Sequence, residues 1–198
     1  ALPISEDPRT TRTRLALRDA LRSLLSTHTL DDVSVSLLCV TAGVHRTTFY
    51  GHAPGVRQFA VAEFAADLDR IATVAVDAEG ETPDQVARRY LGSLRNLLTH
   101  LVDDRTVYRA LLTSDSRGSF RAALEGRLRA RAEQALGVFA RQRVVGVPAD
   151  PRERTEAAAF IAGALVGVID VWTLSDDADV IDAGARITAL LPRWWPRG

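Results

Sequence analysis

The sequence predicts an all-α protein of about nine helices, with a small three-helix head at the N-terminus and a larger helical body behind it. Three observations predict this class. Apolar residues recur at helical spacing, as in Leu17, Ala20, Leu21, Leu24 and Leu25, the i, i+3, i+4, i+7, i+8 pattern of one buried face. Sustained alternation of period two is missing, and Val144 to Val147 is the only short β-like run. Helix-start chemistry recurs as Thr82-Pro83-Asp84-Gln85 and Asp150-Pro151-Arg152-Glu153. Each places a capping oxygen, a proline at the first helical position and a second polar side chain where the helix has unpaired N–H groups.

The elements follow in order. The first helix is predicted over about 10–27, with Arg18, Asp19 and Arg22 opposite the leucine face. Short helices at about 35–41 and 45–52 come next. A longer one at 54–78 carries the stripe Phe64, Leu68, Ile71 and Ala75. The body continues with helices at about 83–102, 104–114, 117–143, 151–174 and 178–191. Gly80, Gly118, Gly146 and the turn Asp176-Asp177 punctuate them. The expected domain division is 1–53 for the head and 54–198 for the body.

Composition narrows the function classes. A chain of 198 residues that is 46% hydrophobic can bury a sizeable core. The formal net charge is zero, which excludes a globally basic coat for nucleic acid, so any such contact must come from a local patch. All 25 basic residues are arginine, which points to a GC-rich coding bias. Cys39 is the one cysteine, so no disulfide forms within the chain. Together with a polar N-terminal stretch, this leads us to expect a cytoplasmic protein. The apolar run Ala157 to Leu174 is rich in alanine and glycine and is interrupted by Asp170. It reads as a buried helix, and no membrane association is expected.

The informative segment is Ser34 to His52. Ser34 can cap a helix whose interior begins at Val35. Leu38, Cys39 and Ala42 share one face, and Gly43 stands where a sharp turn needs positive φ. Val44 plugs the turn and Phe49 anchors the following helix. Helix, glycine turn and second helix form a helix-turn-helix. The outward set is His45, Arg46, Thr47, Thr48 and Tyr50. Arg46 can donate two bonds to guanine, and the threonines can touch a thymine methyl. His45 and Tyr50 can donate to phosphate oxygens. Arg9, Arg12 and Arg14 are read as a basic arm that supports the same face. Cys39 is read as inert core that keeps the helix crossing tight.

This segment resembles the DNA-binding heads of the TetR family of one-component regulators, whose pattern is close to T-V-x-x-I-A-x-x-A-G-V-S-x-x-T-L-Y-x-H-F. The resemblance also covers the layout of leading helix, motif and long helical body. It implies that Ser34 caps its helix at a phosphate, that Arg46, Thr47 and Thr48 face bases or backbone, and that Tyr50 and His52 approach the backbone. It further implies a homodimer paired through the last two long helices, a ligand cavity in the body, and release of DNA on ligand binding. Two positions depart from the family pattern: Ala53 stands for phenylalanine, and Val56 stands for a lysine that meets phosphate. Arg57, next to Val56, is the substitute for that contact.

In the body, Gly163, Ala164 and Gly167 let another helix approach closely. They suit first a dimer seam with the helix at Asp177 to Leu191, and second a central core helix of the monomer. Both hold on different faces. Trp194 and Trp195 are expected to be exposed unless a partner covers them. Tyr90, His100, Tyr108, Phe120, Phe139, Phe160 and Trp172 are candidates to line a cavity for an apolar or aromatic small molecule.

Enzyme readings find no support. His28, His45, His52 and His100 show no metal spacing, and there is no glycine-rich phosphate loop. Asp103-Asp104 and Asp176-Asp177-Ala178-Asp179 read as helix starts. No cofactor, metal or catalytic residue is expected. The expected protein is a ligand-responsive homodimeric regulator, a repressor that leaves a near-palindromic double-stranded DNA operator when a small molecule binds. The alternative is a helical dimer that kept the fold, lost DNA binding and binds a small molecule or protein.

Overall fold

The computed structural model describes residues 8–71 and 80–195. Among these residues there are nine α-helices and no strand. They are α1 (Pro8–Leu24), α2 (Val35–Ala42), α3 (Arg46–Tyr50), α4 (Val56–Ile71), α5 (Pro83–Asp103), α6 (Arg105–Thr113), α7 (Arg117–Arg141), α8 (Pro151–Leu174) and α9 (Val180–Leu190). A short 3-10 turn, Leu30–Asp32, lies between α1 and α2. Ala75, of the stripe predicted on the fourth helix, falls outside the described residues, as do the last turns of the helix expected there.

Two compact units divide the chain. One comprises residues up to Phe64 together with Thr106–Phe120; the other comprises Ala65–Arg105 and Arg121–Gly198. The first unit therefore extends past position 53 and takes in most of α6.

In the first unit, the leucine face of α1 is buried as its spacing predicts: Leu17, Leu21, Leu24 and Leu25. Leu30, Leu38, Phe49 and Phe59 of the same unit are buried as well. Phe49 sits 5.9 Å from Phe59 between ring centres. Further along, Phe64, Tyr108 and Phe120 form a chain of rings, each pair 6.1 Å apart. Burial of each such ring contributes on the order of 2–3 kcal/mol. Arg9, Arg12 and Arg14 do not form an arm. All three lie within α1, and Arg14 is held by the buried Glu63 at 3.0 Å. The pattern misled because the start of α1 lacks apolar residues, while its helix is continuous with the leucine face.

The second unit starts and stops its helices largely as predicted. Thr82 and Gln85 form a reciprocal capping box at α5. Asp150 caps α8, accepting from the Arg152 and Glu153 N–H groups, and Asp179 caps α9. The core here joins Val86, Ala135, Leu136, Phe139, Ala158, Ile161 and Trp195. Trp195 is not exposed: it packs edge-on against Phe139 at 5.2 Å and against Tyr90 at 5.9 Å. The chain turns back after α9 at Pro192, which brings the indole into the core. Val144 to Val147 forms a turn and not a strand.

Helix α8 is the one described helix long and apolar enough to cross a membrane by length and composition. One side of it, with Ala158, Ile161, Ala162, Val166, Ile169 and Trp172, is buried within its unit. The buried Asp170 on that side pairs with Arg121, which satisfies a charge that an apolar surrounding would otherwise penalise heavily.

Candidate nucleic-acid interface and ligand cavity

The head builds its outward face from the turn. Gly43 has φ +64° and ψ +33°, the left-handed conformation that only glycine adopts without penalty. The Val44 N–H donates to the Cys39 carbonyl at 2.9 Å, and the Gly43 N–H to the Val40 carbonyl at 3.3 Å. This paired pattern ends α2 and redirects the chain into α3. At the other end of α2, the Ser34 hydroxyl oxygen accepts from the Leu37 N–H at 3.1 Å. That leaves the hydroxyl proton to donate outward.

Helix α3 is shorter than predicted. His45 is its N-cap, with extended backbone, and the helix closes at Gly51. Phe49 is completely buried, while His45, Arg46, Thr47, Thr48 and Tyr50 are all exposed. One anchored ring therefore fixes a five-residue helix whose other side chains face away from the core. Tyr50 is 52% exposed and packs edge-on against Phe49 at 5.6 Å. His52 is half-buried in the turn after α3. The arrangement offers a guanidinium, two hydroxyl-and-methyl side chains, a phenol and an imidazole on one surface, a donor set that suits base edges and phosphates.

Cys39 is buried at the crossing of α2 with its neighbours, and burial raises its thiol above the ordinary cysteine range. It is held as an inert thiol and spaces the helices.

The segment after the motif explains the two departures. Ala53 and Val56 are both buried, so both positions serve packing. Arg57 is exposed at the start of α4, but its guanidinium is engaged: Nε lies 2.8 Å from Asp31 Oδ1 and Nη2 lies 3.4 Å from Asp115. The Asp115 N–H reaches Asp31 Oδ2 at 3.4 Å. Neither carboxylate was singled out from the sequence, because helical periodicity says nothing about which distant loops meet.

The second unit holds a cavity among α5, α7, α8, α9 and the segment that follows α9. The cavity has a volume of about 90 Å3 and is partly open to solvent. Leu94, Leu97, Leu128, Ile161, Leu165 and Leu191 supply the apolar wall, and Tyr90, Arg131, Thr188 and Trp195 the polar or aromatic points. Burial raises the Tyr90 phenol above its ordinary range, with the nearby Arg89 and Arg131 guanidiniums opposing that rise. Of the seven residues offered as cavity lining, only Tyr90 lines this one. Tyr108 and Phe120 belong to the core of the first unit, Phe160 faces outward, and His100 lies 3.7 Å from Asp104. Trp172 is buried, stacked by Arg105 at 5.5 Å and donating its Nε1–H to Asp177. The sequence reading missed Arg131 and Trp195; the turn-inducing Pro192 was the available signal for the latter.

These features define an all-helical helix-turn-helix protein with an apolar cavity in its helical body. No family model and no curated protein matches the chain. Solved structures do. The fatty acid degradation regulator FadR from Bacillus halodurans superposes with a TM-score of 0.65, covering 95% of this chain and 96% of its own at 17% identity. The dihydroxyacetone kinase operon activator DhaS gives a TM-score of 0.62, covering 90% and 93% at 16% identity. AlkX, a TetR family repressor from Dietzia sp. implicated in n-alkane biodegradation, gives 0.52, covering 91% and 94% at 20% identity. The chain has a TetR-like fold.

Proposed function

We propose that this protein is a TetR-type transcriptional regulator that binds double-stranded DNA as a homodimer through α3 and leaves it when a small molecule fills the cavity. The carrying observation is the head: a glycine-turned helix pair in which Phe49 alone of α3 is buried and the polar side chains face outward. In this reading Arg46, Thr47 and Thr48 read bases. Ser34, His45, Tyr50, His52 and Arg57 meet the backbone. Two heads on a two-fold axis meet successive major grooves, so the operator is near-palindromic. A repressor is our reading of its direction, although an activator is among the structural neighbours.

The experiment is selection of bound fragments from the source genome, followed by affinity measurements across a salt series. A palindromic fragment should emerge, and its affinity should fall steeply with salt as phosphate contacts release counterions. Arg46→Ala should cost about 1–3 kcal/mol and relax base preference, while Tyr50→Phe should weaken all sequences alike. If no fragment is enriched, or both variants bind as the parent does, the reading helix is wrongly assigned.

One observation favours a second reading, a helical dimer that has lost DNA binding. Val56 is buried and Arg57 is already paired with two carboxylates. The same selection separates the two, since this reading enriches nothing.

A further inference from the structure

The cavity is too small as it stands for a drug-sized effector, and one part of its wall accounts for the missing space. This inference rests on the reading that the cavity is the effector site. Its volume is about 90 Å3. That falls below the ~150 Å3 that encloses a single benzene, and far below the roughly 300–1,000 Å3 of sites for drug-sized molecules. A larger ligand therefore enters only if part of the wall moves. Most of the wall is helical, and α5, α8 and α9 each start on a side-chain cap. Trp195 is the lining residue that lies beyond the end of α9.

The Trp195 indole is 7% exposed and fills a slot whose sides are two other rings. Phe139 of α7 stands at 88° to it with ring centres 5.2 Å apart, and Tyr90 of α5 at 81° with centres 5.9 Å apart. Packing is what holds the segment there. The Trp195 N–H donates to the Pro192 carbonyl at 2.9 Å, inside the segment itself. Among the described residues, 192–195 make no other hydrogen bond and no ion pair. Ring packing is exchangeable: a ligand ring that replaces the indole covers the same apolar surface and remakes the same edge-to-face contacts. A hydrogen bond or buried ion pair would have no such replacement in an apolar ligand. A saturated ring system of the same frame covers the surface too, but it lacks the quadrupole that the two edge-to-face contacts use.

We infer that Trp195 is an internal occupant of the effector site: its indole holds the slot between Phe139 and Tyr90, and a flat bicyclic aromatic molecule enters by displacing it.

The test uses the full chain labelled with fluorotryptophan and two bicyclic hydrocarbons of one frame, aromatic indane and saturated hydrindane. Fluorine NMR resolves the tryptophans, which are Trp172, Trp194 and Trp195, and Trp172→Phe, Trp194→Phe and Trp195→Phe assign them. Before indane is added, the Trp195 resonance should show little solvent isotope shift. At saturating indane it should move and acquire the isotope shift of an exposed indole, while Trp172, stacked by Arg105, keeps its position. Indane should bind at least about five-fold more tightly than hydrindane, the margin the two ring contacts provide. Trp195→Ala removes the internal competitor. An open form populated at about 0.1–10% weakens apparent affinity by the reciprocal of that fraction, so this variant should bind indane at least about ten-fold more tightly than the parent. Should the variant not fold, the resonance measurement on the parent decides alone. A Trp195 resonance that stays shielded with indane bound overturns the inference. So do hydrindane binding as tightly as indane, a folded variant with no gain in affinity, and an absence of indane binding by the parent. Operator affinity is scored separately: indane that displaces Trp195 yet leaves operator affinity unchanged overturns the regulator reading and leaves the displacement standing.

Discussion

Arg57 is the residue at which chemistry and packing meet most directly. It follows a buried valine, so it is the first side chain of α4 able to carry charge outward. Its guanidinium lies between Asp31 and Asp115. Both pairs are substantially exposed, and exposed pairs are worth only about 0.2–1 kcal/mol. A DNA phosphate can therefore displace them, at a modest penalty to affinity. Asp115→Asn should remove part of that competition and tighten operator binding by roughly two- to five-fold. Arg57→Gln should weaken binding and reduce the slope of log affinity against log salt by about one. Slopes measured by anisotropy titration decide the matter: an unchanged slope means Arg57 never reaches a phosphate. The sequence showed Arg57 as a candidate but not its partners. Asp31 lies in a short 3-10 turn and Asp115 in a loop 84 residues further on, and no local pattern relates them.

At the scale of the element, the same turn appears twice with different residues. Gly43 ends α2 and Arg143 ends α7, and the bonding is equivalent: Val144 N–H to the Phe139 carbonyl at 3.0 Å and Arg143 N–H to the Ala140 carbonyl at 3.1 Å. Both residues are left-handed, with φ +64° at Gly43 and +56° at Arg143. The first was legible because glycine announces such a turn. The second was not, because an arginine gives no such sign, and the helix predicted to 143 ends at Arg141. The two positions make a paired prediction. Gly43→Ala has open space for its Cβ, so only backbone strain opposes it, and it should cost about 1 kcal/mol or more of stability. Arg143→Gly should relieve strain of the same kind and add about 0.5–1 kcal/mol, less whatever the unfolded chain gains in freedom. Urea unfolding of both variants checks this. Equal and unchanged midpoints would remove strain as the account of either turn. Four helix starts, those of α2, α5, α7 and α8, fall at the predicted residue, and of these only α8 also ends where predicted. Thr82, Asp150 and Asp179 each carry their capping chemistry in one side chain, whereas an end depends on backbone geometry.

For the whole molecule, the decisive feature is what α8 and α9 leave uncovered. The helical repeat puts Phe160, Gly163, Ala164, Gly167 and Val171 along one side of α8, opposite the face that enters the core. Phe160 is 67% exposed and Val171 72%. A Cβ at Gly163 or Gly167 would meet nothing within 4 Å. On α9, Ile181 is 72% exposed and Leu190 68%. Large aliphatic and aromatic side chains beside small residues, open on two successive helices, form a surface that a second copy can cover closely. The sequence showed the small-residue spacing but left open whether it faced the core or a partner. Burial resolves this in part, since the core is served by the other side of α8. The cavity was harder to read because it needs four helices side by side, which no single periodicity encodes. The seam carries the last prediction. Phe160→Glu places a carboxylate in the middle of the proposed apolar contact, where desolvation opposes pairing. The side chain makes no core contact that its exposure would allow to matter, so helicity and the unfolding midpoint of the isolated chain should change little. Sedimentation equilibrium should then show a dimer for the parent and a monomer for the variant. Operator binding should weaken sharply, because each head alone holds only half of a two-fold site. A variant that stays dimeric places the contact elsewhere. A monomeric variant with undiminished operator affinity would separate DNA binding from dimerisation and require a single head to suffice.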